Sequence, residues 1–175
     1  MPAGHRHVRG GHLRRRRRVP GHPVRREAWF ASTVFTGRSW FEGATFTGYT
    51  EFRSSAFTDH VAFRSAVFAD AADFGSVTFT GHVSFDSVVF TGHADFRSTT
   101  FGAAADFTSA TFAGNADFDS AVFVQRPHFG GARLPPARYP TVGPPATWID
   151  FTATRFDRGV PPELTGLVPT ETPPS

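Results

Sequence analysis

The stretch ADFRSTTFGAAADFTSATFAGNADFDSAVF, residues 94–123, places phenylalanine at 96, 101, 107, 112, 118 and 123. The gaps between these residues alternate between five and six. The same alternation extends in both directions and includes nineteen of the 21 phenylalanines: 30, 35, 41, 46, 52, 57, 63, 68, 74, 79, 85, 90, 96, 101, 107, 112, 118, 123 and 129. A fixed period of this kind is the signature of a repeat architecture. The repeating unit is eleven residues long.

The other positions of the unit follow the same grid. Two residues before each Phe the side chain is usually small or β-branched, as at Ala94 and Ala105, and two residues after alternate Phe there is nearly always Ser. After the remaining Phe that position is usually Gly or Asp. An inward small residue and an inward Phe, separated by one outward residue, predict a short strand. The Ser and the Gly or Asp positions predict turns, and we expect Gly and Asp to take positive φ.

The spacing excludes the common alternatives to a solenoid. Gaps of five and six put successive Phe on no common helix face, and strands this short need a neighbouring coil to satisfy their backbone. One unit gives two faces, too thin to enclose Phe rings, whereas two units give four faces and about 22 residues per coil. The sequence therefore predicts an all-β, quadrilateral parallel β-helix of about five coils, with strands about 4.8 Å apart.

Three segments carry a resemblance to a known family: Ala94-Asp95-Phe96-Arg97-Ser98, Ala105-Asp106-Phe107-Thr108-Ser109 and Ala116-Asp117-Phe118-Asp119-Ser120. They resemble the pentapeptide-repeat family, whose unit is a small residue, Asp or Asn, Leu or Phe, and two turn residues. The resemblance covers about residues 24–134, and 148–156 more weakly, and it implies a right-handed β-helix. The extra residue in alternate units departs from the family pattern, so we expect two of the four corners to be wider.

Charge and proline divide the chain into segments. Residues 1–27 hold nine Arg and one acidic residue, whereas residues 28–134 hold six Arg and ten Asp or Glu. No proline lies between Pro23 and Pro127. We expect a basic, disordered head at 1–23, the β-helix at 24–134, a Pro-rich loop or degraded coil at 135–147, a terminal half-coil at 148–158 that returns in register, and a Pro-rich mobile tail at 159–175.

The composition argues against several kinds of chemistry. The chain has no Cys, so disulfides, thiolate metal sites and a cysteine nucleophile are excluded. Its Ser column recurs on every coil, as turn chemistry does, and we expect neither an enzyme nor a bound cofactor or metal. His60 and His82 are expected to stack as exposed turn histidines, an interpretation favoured over a metal site. No run of about 18 apolar residues exists, no apolar segment follows the Arg-rich start, and we expect a cytoplasmic protein.

Two groups of residues are candidates for binding. Glu51, Asp73, Asp95 and Asp117 are 22 residues apart and predict an acidic column on one face. Members of the pentapeptide-repeat family that protect against quinolones are thought to imitate duplex DNA through such surfaces and to engage type II topoisomerase. The resemblance thus implies a non-catalytic scaffold with a protein partner, and a homodimer is compatible with it. The simpler interpretation, that Asp is the usual outward residue of the repeat, is favoured.

The alternative is a nucleic-acid-associated protein acting through the head. Clustered arginines release counterions from nucleic acid when they contact phosphates. The candidate contacts are Arg14, Arg15, Arg16, Arg17 and Arg18.

Overall fold

The computed structural model of the chain describes residues 23–24, 27–138 and 146–169. These residues form 21 two-residue strands and one 3-10 turn, Pro162–Leu164. The strands build four sheets, in which every pairing is parallel. Residues 1–22, which include most of the predicted head and Arg14–Arg18, lie outside the described residues, as do 139–145 and 170–175.

The four sheets are numbered in the order in which the chain reaches them from residue 27. Sheet I contains β2 (Ala28–Trp29), β6 (Thr50–Glu51), β10 (Ala72–Asp73), β14 (Ala94–Asp95), β18 (Ala116–Asp117) and β20 (Ile149–Asp150). Sheet II contains β3 (Val34–Phe35), β7 (Ala56–Phe57), β11 (Thr78–Phe79), β15 (Thr100–Phe101), β19 (Val122–Phe123) and β21 (Arg155–Phe156). Sheet III contains β4 (Ser39–Trp40), β8 (Val61–Ala62), β12 (Val83–Ser84) and β16 (Ala105–Asp106). Sheet IV contains β1 (Pro23–Val24), β5 (Thr45–Phe46), β9 (Val67–Phe68), β13 (Val89–Phe90) and β17 (Thr111–Phe112).

The register of the sheets gives the length of a coil. Ala72 lies opposite Ala94, and Phe79 lies opposite Phe101, so equivalent residues are 22 apart. Each strand contributes its backbone to the ladder above and below, which satisfies the polar groups that a lone two-residue strand would leave unpaired. The predicted quadrilateral parallel β-helix with 22-residue coils is confirmed.

The interior is filled by phenylalanine rings. Phe85, which is fully buried, lies parallel to the rings of Phe63 and Phe107 in the neighbouring coils, with centroids 5.1 and 4.9 Å apart. It meets Phe74 and Phe96 edge-on, each at 5.4 Å. These distances fall in the range that favours aromatic pairs. The predicted Phe columns are therefore the core.

Two kinds of corner join the sheets. After sheets I and III the chain makes a tight turn, in which the N–H of Thr99, for example, donates to the carbonyl of Phe96 at 3.1 Å. The third residue of that turn, Ser98, has φ 56°, as a type II turn requires. After sheets II and IV the extra residue widens the corner, and within the described chain this i to i+3 hydrogen bond is absent there except after the last strand, where the N–H of Gly159 donates to the carbonyl of Phe156 at 3.1 Å. Two wider corners were expected.

The expectation that Gly and Asp take positive φ is wrong for most of them. The positive φ falls on the tight corners, where eight Ser residues have φ between 55° and 59°: Ser32, Ser54, Ser65, Ser76, Ser87, Ser98, Ser109 and Ser120. Three glycines of the wide corners, Gly81, Gly92 and Gly114, are needed for space instead. A Cβ on Gly81 would lie 2.5 Å from the carbonyl carbon of Asp59 in the preceding coil. The two corners therefore select small residues for different physical reasons.

The C-terminal end changes register. Continuing the 22-residue grid would place Phe151 over Phe129, but its ring stacks on Phe118 at 5.1 Å, and Phe156 stacks on Phe123 at 5.2 Å. The residues between Leu134 and Ile149 are thus an insertion in the grid. The terminal half-coil predicted at 148–158 is present, but it lies on sheets I and II and not in the predicted register. Part of that insertion covers the sheet edge, because Ala137 pairs with Ile149.

The segment from Gly159, expected to be a mobile tail, packs in part against this end of the solenoid. The side chain of Leu164 in the 3-10 turn is fully buried, and Leu167 and Val168 contact the core. At the opposite end, β2, β3 and β4 have no strand on their N-terminal side among the described residues.

Candidate functional site

The outward column of sheet I brings together the acidic residues that the sequence singled out. Glu51 lies opposite Asp73, Asp73 opposite Asp95, and Asp95 opposite Asp117. The structure adds Asp150, which lies opposite Asp117. The sequence analysis missed Asp150 because it is 33 residues from Asp117; the signal was present in Ile149-Asp150-Phe151, which repeats the small-Asp-Phe pattern.

Each aspartate of this acidic column closes the tight corner that follows it. Oδ1 of Asp73 accepts the backbone N–H of Gly75 at 2.7 Å, and Oδ1 of Asp95 accepts that of Arg97 at 2.9 Å. Asp117 and Asp150 make the same contact two residues onward. Such Asx turns bring the side chain back onto its own backbone. The four aspartates are consequently no more than 7% exposed, although their strand positions face outward.

Arginines pair with the second carboxylate oxygen. Arg53 donates to Oδ2 of Asp73 at 3.3 Å, and Arg138 donates to Oδ2 of Asp150 at 2.9 Å. Arg97 donates through Nε and Nη2 to Asp95, and its Nε lies 3.8 Å from Asp117. The column is thus an alternation of carboxylates and guanidinium groups, and its negative charge is partly neutralised within the chain.

The pKa values in the column diverge with these contacts. For Asp95, burial raises the pKa, but the hydrogen bonds and charge of Arg97 together outweigh burial and hold the pKa below its usual value. Burial, followed by repulsion from Asp150 and Asp95, keeps the pKa of Asp117 above its usual value despite the N–H of Asp119 and the charge of Arg97. The pKa values of these neighbouring carboxylates therefore shift in opposite directions.

Aromatic side chains border the column at its two ends. Trp29 meets Tyr49 edge-on at 5.5 Å, and the hydroxyl of Tyr49 donates to Oδ2 of Asp73 at 3.3 Å. Burial, together with the charges of Asp73 and Glu51, raises the pKa of Tyr49 to about 12. At the other end the guanidinium of Arg138 lies 4.4 Å above the ring of Trp148. Trp29 is 60% exposed, so an aromatic surface is accessible beside the acidic column.

Sheet III, on the opposite side, presents a shallow trough of about 300 Å³. Its floor is formed by the small side chains of Ala62 and Ser84, and Trp40 and Asp106 lie at its two ends. His60 and His82 line one flank with their rings 5.8 Å apart. These histidines lie on adjacent coils at one corner, as predicted, but their rings are tilted by 34° and His82 is only partly exposed. Within the described ranges no three His, Cys, Asp or Glu residues group closely enough to hold a metal ion.

Sheets II and IV present outward columns almost free of charge. On sheet II the column is Val34, Ala56, Thr78, Thr100 and Val122, before Arg155. On sheet IV it contains Thr45, Val67, Val89 and Thr111. The four faces therefore differ chemically: one is acidic and paired with arginine, one is a mixed trough, and two carry small and β-branched side chains.

Comparison with known proteins identifies no relative of the chain. No protein-family model matches the chain, and neither a curated protein nor a solved structure matches it. No helix in the described part of the chain is long and apolar enough to cross a membrane. What the chain shows is a parallel β-solenoid of 22-residue coils with a stacked phenylalanine core.

Proposed function

We propose that the chain is a pentapeptide-repeat protein that serves as a non-catalytic binding scaffold for a protein partner. The small-Asp-Phe segments, the four sheets and the stacked Phe columns support the family assignment. The 22-residue coil is then a variant in which each wide corner carries one additional residue.

The observation that carries the scaffold proposal is the flatness of the outward columns over a filled core. Adjacent strands hold equivalent residues in register from coil to coil, as from Thr78 to Thr100, and the Phe stacks fix the spacing between them. A surface that is already ordered loses little conformational entropy on binding. The two faces that carry little charge favour a partner with a flat, complementary surface.

The most specific form of this proposal is a DNA mimic that acts on type II topoisomerase. Its support is the acidic column, which places one carboxylate on each of five neighbouring strands of sheet I, about 4.8 Å apart. A cationic partner surface would have to displace or accommodate Arg53 and Arg97, which pair with Asp73 and Asp95.

Inhibition of gyrase supercoiling tests the mimic form. Micromolar full-length protein should inhibit, and Arg53→Gln with Arg97→Gln should inhibit more strongly, because the substitutions expose carboxylate charge. Arg38→Gln, at the wide corner between sheets II and III, is the matched control and should leave inhibition unchanged. Absence of inhibition by all three proteins would remove the topoisomerase form and leave the general scaffold.

Face-specific substitutions test the general scaffold. Thr78→Arg and Thr100→Arg place two charges on sheet II, whereas Val67→Arg and Thr111→Arg place two on sheet IV. A partner retained by the wild-type protein should be lost with one pair and kept with the other. A partner retained equally by both pairs does not use either face.

The second proposal is nucleic-acid association through Arg14–Arg18. It is favoured by the separation of charge, since residues 1–26 hold nine Arg and no acidic residue. The full chain should shift DNA in a gel with an affinity that falls steeply with salt, and a version beginning at Glu27 should not. Equal shifts by both versions would contradict it.

A further inference from the structure

The first described strand begins near the sheet III trough. The backbone of Pro23 in β1 pairs in parallel with Thr45 in β5, on sheet IV. Because the two strands are parallel, the N-terminal end of β1 lies beside the N-terminal end of β5. That end follows the tight corner between sheets III and IV, which contains Glu42. Glu42 and Trp40 both line the trough.

The trough carries acidic groups that the body of the protein does not fully neutralise. Glu42 and Asp106 lie on its rim, and the one arginine that lines it, Arg64, pairs with Asp86 at 3.1 Å. Burial, followed by the charge of His60, lowers the pKa of His82, so His82 carries less positive charge near neutral pH than a free imidazole. Trp40 is 37% exposed and offers an indole face.

Charge on the whole chain is strongly segregated. Residues 27–169 hold nine Arg and fourteen Asp or Glu, whereas residues 1–26 hold nine Arg and no acidic residue. The head and the body are therefore of opposite sign, and they are joined at the end of the trough.

We propose that Arg14, Arg15, Arg16, Arg17 and Arg18 dock in the sheet III trough of the same chain. Guanidinium groups stack on indole and pair with carboxylates, and Trp40, Glu42 and Asp106 supply these partners. The reach of the segment from Arg18 to Pro23 agrees with the length of the trough. The five residues from Arg18 to Pro23 reach up to about 17 Å, and the trough spans three strand spacings from β4 to β16, about 14 Å.

Docking of this kind makes the arginines of the head less accessible to nucleic acid. The arginines that could contact nucleic acid are held against the solenoid, and a polyanion competes with the trough for them. The proposal does not depend on the scaffold function, because it concerns one chain alone.

A spin label on the head tests the docking. Because the chain has no Cys, Gly11→Cys provides a unique attachment site in the full-length protein. Backbone amide signals of Ala62 and Ser84, in the floor of the trough, should broaden several-fold more than those of Ala94 and Asp95 on the opposite sheet. The sample contains no nucleic acid.

Charge reversal at the rim supplies the matched comparison. Glu42→Lys should abolish the selective broadening, and Glu42→Gln should weaken it, whereas Glu163→Lys, an exposed carboxylate in the C-terminal 3-10 turn, should leave it unchanged. Equal broadening on both sheets, broadening confined to sheet I, or broadening unaffected by Glu42→Lys would overturn the proposal. Broadening of Ala62 in isotope-labelled protein that lacks the spin label, mixed with spin-labelled protein, would assign the trough to a second copy and overturn docking within one chain.

Discussion

The ring of Phe151 stacks on the ring of Phe118, with centroids 5.1 Å apart and planes 14° from parallel. In the preceding coils, stacked rings belong to residues 22 apart, but these two are separated by 33, as are Phe123 and Phe156. The difference is one eleven-residue unit. An insertion of one unit leaves the small-Asp-Phe pattern of the last half-coil unchanged, while it moves that half-coil from sheet III to sheet I.

Phe151→Ala should allow the last complete coil, which contains Phe118, to open more readily. The backbone N–H of Phe118 donates to the carbonyl of Asp150 at 2.8 Å, so loss of the Phe151 ring should loosen that strand. Hydrogen exchange at the Phe118 amide should accelerate, because local opening then costs less free energy. The amide of Phe52, in an equivalent position near the other end, serves as the internal control. Equal acceleration at both amides would indicate global destabilisation and no local register contact.

Phe85→Ala should lower the free energy of unfolding by about 3–5 kcal/mol, since it removes a buried ring and leaves a cavity. Denaturant unfolding measures the change. Phe85→Leu should cost less, because leucine fills part of the space, and Arg38→Ala at an exposed corner should change stability by less than about 0.5 kcal/mol. Similar small losses for Phe85→Ala and Arg38→Ala would contradict a packed Phe core.

The core could be predicted because Phe at a fixed spacing has a single physical use. Nineteen large apolar residues on one grid must face inward, and a coil must contain whole units for like residues to stack. The residues of the acidic column, from Glu51 to Asp117, could be predicted from the same 22-residue spacing. The change of register at Phe151 could not be predicted, because an insertion of eleven residues is invisible to a pattern that repeats every eleven.

The burial of the aspartates could not be predicted from the sequence either. An outward strand position predicts a solvated carboxylate, but Asp95 folds back onto the N–H of Arg97 and becomes buried. The turn conformation was assigned to the wrong residue for a related reason. Glycine is the usual residue at positive φ, yet here the tight corner places Ser98 there, and glycine is used where coils approach closely.

Ser76→Val should destabilise the solenoid by about 1–2 kcal/mol, because a β-branched residue is strained at positive φ. Ser76 has φ 57° and an exposed side chain, so little packing changes. Ser76→Gly is the matched variant and should lose less, since glycine adopts this conformation without strain. Thermal unfolding of the two variants gives the comparison. A valine variant as stable as the glycine variant would be incompatible with a left-handed turn residue at 76.

Thr99→Val should destabilise the protein by about 1 kcal/mol, because it removes a buried hydrogen bond while keeping the shape of the side chain. The hydroxyl of Thr99 donates to the carbonyl of Phe74 at 2.6 Å and is fully buried. Thr100→Val is a control from the adjacent residue, which faces outward on sheet II. It should have little effect on the denaturation midpoint, and an equal effect of the two substitutions would contradict the inward and outward assignment.

Arg97→Gln should destabilise the protein more at pH 7 than at pH 3. In the wild-type protein the pKa of Asp95 lies below its usual value, since Arg97 outweighs burial. The carboxylate therefore contributes stability above its unfolded pKa, about 3.9, and this contribution is lost as the pH falls through the lower folded pKa. Without the Arg97 guanidinium, burial is opposed mainly by the backbone N–H of residue 97, so the folded pKa of Asp95 rises and the ionised carboxylate contributes less stability at pH 7.

Denaturant unfolding of the wild-type protein and Arg97→Gln between pH 3 and pH 7 measures this difference. Arg97 also lowers the pKa of Asp117, so the loss of the guanidinium acts on both carboxylates in the same direction. Arg38→Gln removes an arginine far from the acidic column and should shift stability by a small amount that does not vary with pH. The charge pairing inferred for sheet I requires the loss caused by Arg97→Gln to shrink as Asp95 and Asp117 become protonated, and a loss of equal size at both pH values would contradict it.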